Sequence, residues 1–566
     1  MKITQRAATF QTAESDNKLT MNLNSTGSPS PRPSPTGSGR VAASISCNPQ
    51  RYDFAQDGLG FSLFPGERAG VRGSATFALA CVIFLCSTAP SFSADIPDRP
   101  EKLTFPPHTY EPPSPAKFRV PLKAGPVAYI VPDRELPLVN ISILVRTGDF
   151  AEAAGKEGLA GLTGNLLARS GTRTKSAEEL EERLAFLAAN LGSAAGDTQG
   201  SVTLNLLSKD LDEGLVILRD VLTAPRFQDD RFTLLKQQTL QGMKQRNDNA
   251  ASIEARERSF LALGEQFWAN RHATAASIES ITRADLEGFH QKWFHPANFV
   301  IAVSGDFERD DMVAQLEKLF ASWPFTGAQA AAIPTNTQFA APGVYLVDKD
   351  VNQGRVAIML PGITRDDPDY FAVQVMNDIL GGGGFTSRLV NRVRSDEGLA
   401  YSAGSMFPGG TYYPLTFRAS FQSKSRTVAY AASIVLEEMQ KMALQPVSDE
   451  ELNTSKKAYV ETFPRSFASK SAVATRFADD EFTGRFAKAP DYYAKYRDRI
   501  AAVTKAEVQR VAEKYLRPDK AVILVVGDKK EILLGHPNHP VRLESLGGGR
   551  LVDLPLRDPL TMKPVK

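Results

Sequence analysis

The sequence predicts an α+β fold, two homologous α/β-sandwich domains in tandem. The main observation is an internal repeat. TRADLEGFHQKWFHPANFVIAVSGD (282–306) aligns without gaps on TKAEVQRVAEKYLRPDKAVILVVGD (504–528). Thr282/Thr504, Ala284/Ala506, Lys292/Lys514, Pro296/Pro518, Val300/Val522, Ile301/Ile523, Val303/Val525, Gly305/Gly527 and Asp306/Asp528 are identical, and chance explains such a run poorly. The stretches that open each half also correspond. VAYIVPDRELPLVNISILVRTG (127–148) and VYLVDKDVNQGRVAIMLPG (344–362) both read as strand, turn, strand. Helical patterns follow each, over 156–169 in the first half and over 368–380 and 386–395 in the second. Strands mixed with helix pairs, used twice, argue for a duplicated α+β unit.

The elements follow in chain order. Residues 1–67 are rich in Ser, Pro and Gly and are expected to be disordered, with translation starting near Val71. ATFALACVIFLCSTAP (75–90) follows Arg68 and Arg72 and precedes the small residues SFSA (91–94). This is the pattern of a secretory signal peptide over 68–94, too short for a comfortable membrane span. The expected location is periplasmic or secreted, with no membrane attachment after signal removal. Residues 95–118 are a Pro-rich lead-in, 119–325 a first folded domain, 326–343 a linker, 344–530 a second domain and 531–566 a tail. Within the first domain, SAEELEERLAFLAANLG (176–192) reads as a helix opened by the capping box Ser176-x-x-Glu179. SVTLNLLS (201–208) alternates as a strand, and LDEGLVILRDVL (211–222) is an amphipathic helix. Each repeat reads as a helix capped by Thr282 or Thr504, a turn at proline, then a buried strand ending in Gly-Asp.

Composition excludes several functions. Lys+Arg number 66 against 64 Asp+Glu among 566 residues, and no basic stripe interleaved with aromatics marks a nucleic-acid partner. The cysteines, Cys47, Cys81 and Cys86, all precede the end of the signal peptide. A mature chain would then hold no disulfide, no cysteine–zinc site and no cysteine nucleophile.

GLAGLTGNLLARSGT (158–172) has the frame of a metal-site helix. Leu159, Leu162 and Leu166 form one face, and Gly161 and Asn165 share another at i, i+4. At that spacing two histidines grip zinc in a peptidase helix. The histidines of this chain, His108, His272, His290, His295, His536 and His539, lie elsewhere, and only His536 and His539 are close in sequence. Glycines inside a helix cost roughly 1 kcal/mol each relative to alanine. Either room is wanted at Gly161 and Gly164, or selection on the site has lapsed.

From about 119 to 530 the chain resembles the pitrilysin/insulinase metallopeptidases, the inverted zincins. That group includes the mitochondrial processing peptidase, its bacterial two-subunit relatives and the core subunits of the respiratory cytochrome complex. The resemblance rests on VRTGDFAEAAGKEGLAGLTGNLLARSGT (145–172), SIESITRADLEGFHQKWFHPANFVIAVSGDF (277–307) and ILGGGGFTSRLVNRVRSDEGLAYSAGSMF (379–407). It implies the sandwich shared with LuxS and the processing peptidases. It places the two histidine positions at Gly161 and Asn165, the general base at Gly164 and the distal glutamate at Gly242. None of these is a zinc ligand, so no metal is expected in this chain and zinc is expected in a partner subunit. The same resemblance assigns Arg394 and Tyr401 as the pair that holds substrate and steadies the oxyanion, here offered in trans. It places the glycine-rich turn Gly382, Gly383, Gly384 and Phe385 near the substrate path. GGGGFTS (381–387) lacks the lysine of a phosphate loop.

The implied function is a non-catalytic, substrate-binding subunit. Its partners would be an HxxEH-containing paralogue and peptide substrates. One alternative is a structural or interaction protein of the same fold with no peptidase role. Another is a self-sufficient zinc peptidase with atypical ligands.

Overall fold

The computed structural model describes residues 99, 102–103, 110–321, 323 and 329–565. The expected extension 1–67, the signal peptide 68–94, Cys47, Cys81, Cys86 and His108 lie outside the described residues. No helix among the described residues is long and apolar enough to cross a membrane.

The strands of the first half are β1 (Arg119–Pro121), β2 (Val127–Pro132), β3 (Leu138–Val145), β4 (Asn190–Ala195), β5 (Gly200–Leu207) and β6 (Phe299–Gly305). They form one sheet in the order β1-β2-β6-β3-β5-β4. The second half supplies β7 (Gly343–Asp348), β8 (Gln353–Thr364), β9 (Ala400–Met406), β10 (Gly409–Gly410), β11 (Leu415–Lys424), β12 (Val522–Gly527) and β13 (Leu551–Leu554). Their order is β13-β7-β12-β8-β11-β9, with the short β10 beside β8. The two sheets share one topology. In each, the first long strand runs parallel to the last, Val127 facing Val300 in one and Val344 facing Ile523 in the other. That last strand then pairs antiparallel with the second long strand. The duplication read from the repeat is therefore a duplication of architecture. Both repeat helices, Arg283–Trp293 and Lys505–Tyr515, start at capping boxes, Thr282 with Asp285 and Thr504 with Glu507.

Every residue of β6 and β12 is buried. A strand covered on both faces has no place for polar side chains, which is why VIAV and VILVV are continuous apolar runs. The inner face of each sheet packs on helices of its own half. The outer face is covered by a helix from the other half. Lys470–Phe482 lays Val473, Ala474, Phe477 and Ala478 on Tyr129, Val131, Val300 and Ala302. Ala250–Leu263 lays Ile253, Leu261 and Ala262 on Tyr345, Met359, Leu524 and Val526. This exchange fastens the halves together. Glu481 reinforces it, accepting from Arg119 at 2.9 Å and from the Tyr129 hydroxyl at 2.9 Å.

Several expectations change. The helix expected over 176–192 ends at Phe186, and Asn190–Ala195 forms the edge strand β4. Ala188 turns the chain between them with φ 49°. The helix expected over 156–169 is confined to Leu159–Leu167, because Gly158 takes the left-handed conformation at its start. The patterns over 368–380 and 386–395 resolve into Tyr370–Asn377 and two wide π-type turns, Asp378–Gly382 and Val390–Asp396. The segment expected as a tail contributes β13, which runs parallel to β7 at the sheet edge.

Candidate functional site

The helix Leu159–Leu167 starts beneath a carboxylate. Glu152 accepts from the N–H of Gly158 at 3.1 Å and of Ala160 at 2.7 Å. It thus satisfies donors that the first helical turn leaves open. Burial, with Asp149 close by, pushes Glu152 up to about 8 against the pull of those N–H groups. Burial and Asp197 likewise push Asp149 up to about 6, opposed by Arg271.

The four positions that the resemblance assigns to the hydrolytic centre differ in their surroundings. A Cβ built on Gly161 or Gly242 meets no atom of the described residues within 4 Å. Asn165 is half-buried. Gly164 is closed, since a Cβ there would lie 2.3 Å from the Ala195 amide nitrogen and 2.5 Å from the Ala194 carbonyl carbon. β4 lies hard against the helix, and Ser193 Oγ accepts from the Ala168 N–H at 2.9 Å. Of the two readings left open for the helix glycines, close packing accounts for Gly164 and not for Gly161. The residues present do not fit zinc. Glycine offers no donor, and one carboxamide is a poor ligand for a metal that takes imidazole, thiolate or carboxylate. Among the described residues, no group of three or more His, Cys, Asp and Glu is placed to hold a metal ion.

The described histidines are spread over separate parts of the fold. His290 Nε2 lies 2.9 Å from the Leu222 carbonyl, and His295 Nε2 lies 3.1 Å from Asn298 Nδ2. His272 meets the Phe260 ring edge-on at 5.3 Å. His539 stacks on Tyr430 at 3.7 Å, with His536 beside it.

In the second half the structure brings the Arg–Tyr pair and the glycine-rich turn together. The Arg394 guanidinium sits 4.6 Å over the Phe385 ring and 5.2 Å over the Tyr401 ring. Phe385 is 72% exposed and Tyr401 87% exposed. Gly398, with φ 61°, turns the chain so that β9 begins at Ala400 with Tyr401 on its outer surface. The glycines of the turn serve close approach within the chain. A Cβ on Gly382 would meet Asn377 Nδ2 at 2.7 Å, and one on Gly383 would meet the Asp378 carbonyl at 2.8 Å. Only Gly384 faces open space, in the left-handed region at φ 64°. The turn therefore presents Phe385, and Gly381 just before it, where a Cβ would lie 2.6 Å from the Ser405 amide nitrogen, lets the chain sit close to β9. That strand is one sheet edge and β4 is another. Sequence reasoning missed β4, because NLGSAA has little strand propensity, and missed Glu152, whose partners are backbone groups.

Comparisons with known proteins agree with the duplicated fold. A family model described as insulinase (peptidase family M16) matches residues 130–274, and one described as peptidase M16 inactive domain matches residues 280–459. A probable mitochondrial-processing peptidase subunit beta of Arabidopsis thaliana is 24% identical over 412 residues, spanning 69% of this chain and 75% of that protein. An uncharacterized zinc protease of Mycobacterium leprae is 27% identical over 278 residues, 47% of this chain and 60% of the relative. Among solved structures, a peptidase M16 inactive domain from Pseudomonas fluorescens is similar with a TM-score of 0.66 at 25% identity, covering 75% of this chain and 99% of that one. The periplasmic protease PqqL from Escherichia coli shares the fold with a TM-score of 0.63 at 16% identity, over 73% of this chain and 45% of its own.

Proposed function

From the premise that this chain belongs to the insulinase family, peptidase family M16, we propose that it is the non-catalytic, substrate-binding subunit of a periplasmic zinc-peptidase heterodimer. One observation carries the reading. The donor pair Arg394 and Tyr401 is assembled, with Tyr401 exposed and Arg394 half-buried, while the four positions that would hold zinc and base are Gly161, Gly164, Asn165 and Gly242. In this reading zinc and the general base belong to an HxxEH-containing partner, and no hydrolytic step runs on this chain's own helix.

The chain's own residues bind and orient. A peptide adds as an extended strand to a free sheet edge, taking main-chain hydrogen bonds from it. Arg394 and the Tyr401 hydroxyl donate to the carbonyl oxygen that gains negative charge. One such fixed donor contributes roughly 3–4 kcal/mol to a transition state. Phe385 also packs on the guanidinium, its ring centroid 4.6 Å away.

The test is co-expression with an HxxEH-containing paralogue and measurement of peptide cleavage. Arg394→Ala and Tyr401→Phe are expected to lower kcat by about a hundredfold with the complex still assembled. An unchanged kcat in both variants sinks the reading. The structural alternative has one observation in its favour, because the Arg394 guanidinium already lies between two rings of its own chain. It predicts an assembled complex whose cleavage is indifferent to both substitutions.

A further inference from the structure

A cavity of about 460 Å³ opens beside Gly242, where the helix Asp229–Lys244 ends and Ala250–Leu263 begins. Arg246, Arg256 and His272 line it, with Ser252 at the start of the second helix. Arg256 is 8% exposed. Its Nε donates to Glu257 at 3.0 Å and its Nη1 to Asn247 at 3.1 Å, while its buried Nη2 has no hydrogen-bond partner among the described residues. The buried Nε2 of His272 also has none. Arg246 donates to the carbonyls of Ala273 at 2.8 Å and Pro559 at 3.0 Å and pairs with no carboxylate among the described residues. Arg557 completes the cationic group, sharing Glu257 with Arg256 and taking Glu265 at 2.7 Å. The helix Ala250–Leu263 has no acidic residue in its first turn. Asp248 is the single carboxylate on the wall.

We infer that this cavity binds an oxyanion, a carboxylate or phosphate group held by Arg246, Arg256 and His272 at the start of the helix Ala250–Leu263. A buried donor without an acceptor is costly, and an anion would supply the missing acceptor. The helix start adds its own positive potential. Burial and the neighbouring Arg256 hold Arg246 below its usual range. Burial first, then Arg246, Arg256 and Arg557, hold His272 down at about 4, so it is neutral at pH 7. The carboxylates Glu257, on the same helix as Arg256, and Glu265, just beyond its end, are already engaged by Arg256 and Arg557. A bound anion relieves both the arginine and the histidine. The inference uses none of Arg394, Tyr401 or Phe385, so it stands whether or not a catalytic partner exists.

The test is titration calorimetry on the full chain at pH 7 with sodium phosphate, and with an uncharged hexapeptide as free acid and as C-terminal amide. One saturable site is expected. Arg246→Gln should weaken it at least tenfold. Gly242→Glu should abolish it by placing a carboxylate at the rim, where a new Cβ meets nothing within 4 Å. Nuclear magnetic resonance titration of His272 should move upward when phosphate is added. Binding of the free acid in preference to the amide, in competition with phosphate, assigns a peptide terminus. Binding of phosphate without the peptide assigns a free anion. Absence of saturable binding by either probe, or wild-type affinity in the folded Gly242→Glu variant, overturns the inference. If Arg246→Gln fails to fold, Gly242→Glu and the His272 titration decide alone.

Discussion

Gly164 on the first-half helix and Ala195 on the edge strand β4 touch backbone to backbone, with room for a hydrogen and nothing larger. The position that the resemblance assigns to the general base is thus closed by the chain itself. Gly164→Ala must push main chain, which yields poorly, so a loss of about 1–3 kcal/mol is expected. Gly161→Ala and Gly242→Ala face open space and remove helix glycines, so each should gain up to about 1 kcal/mol. Calorimetric melting of the three variants checks the contrast in sign. Equal melting temperatures for Gly164→Ala and Gly161→Ala would show that β4 does not press on the helix.

Glu152 predicts a pH dependence. Its carboxyl stands near 8 in the fold against an ordinary 4.5, raised by burial and by Asp149. A raised carboxyl favours the protonated folded form. Its stabilisation is complete below about 4.5 and is lost as pH rises through about 8. Glu152→Gln keeps an acceptor for the Ala160 N–H and removes the ionisation. The variant should lose on the order of 3 kcal/mol less than wild type between pH 5 and 9. Asp479, near 6 and not among the groups that shift Glu152, titrates in both proteins and cancels in the difference. Asp149 is coupled to Glu152, so its titration shifts with the substitution and belongs to the measured difference. Parallel melting curves across that range would refute the assignment.

Much of the fold was legible because its signals are local. The nine identities between 282–306 and 504–528 fall on a capped helix and a buried strand, and both recur with the same topology. What escaped depends on tertiary partners. Asn190–Ala195 is a strand only because β5 pairs with it, Asn190 facing Asn205 and Ala195 facing Gly200. The exchange of Lys470–Phe482 and Ala250–Leu263 between halves was invisible, since an apolar helix face does not say which sheet it covers. At the site, Arg394, Tyr401 and Phe385 could be picked from the sequence, whereas their convergence is a result of the turn at Gly384 and Gly398. The closure at Gly164 was not legible at all, because a glycine reads the same in open space and under a strand.

Glu481 tests the exchange directly. It takes a two-pronged ion pair from Arg119 and the Tyr129 hydroxyl, with 16% of its side chain exposed. Burial pushes its pKa up, but Arg119 and Tyr129 outweigh burial and hold it below the usual range. Its contribution is present at neutral pH and is lost as pH falls below the ordinary carboxyl range. Glu481→Gln leaves the Arg119 charge without its partner. A loss of about 2 kcal/mol at pH 7 is expected, shrinking towards pH 3. Denaturant melts at the two pH values measure it. A loss independent of pH would assign the effect to shape and not to charge.

Arg394 must be separable from stability if it serves a partner. It is half-buried against Phe385 and Tyr401, whose rings are exposed, and a cation–ring contact at such a site contributes about 0.5–1 kcal/mol. Arg394→Ala should therefore shift the melting temperature of the isolated chain by no more than a few degrees. Phe385→Ala should do the same, because its ring is mostly in solvent. Tyr401→Phe keeps the ring under the guanidinium and removes only the hydroxyl, so it should leave the isolated chain unchanged. Differential scanning calorimetry of the three variants settles this before any assay with a partner. If Arg394→Ala melts ten degrees or more below wild type, the residue is a structural support, and a loss of cleavage in the complex could not be credited to substrate binding. If it melts with wild type, any fall in kcat of the complex belongs to the guanidinium itself and not to a weakened fold.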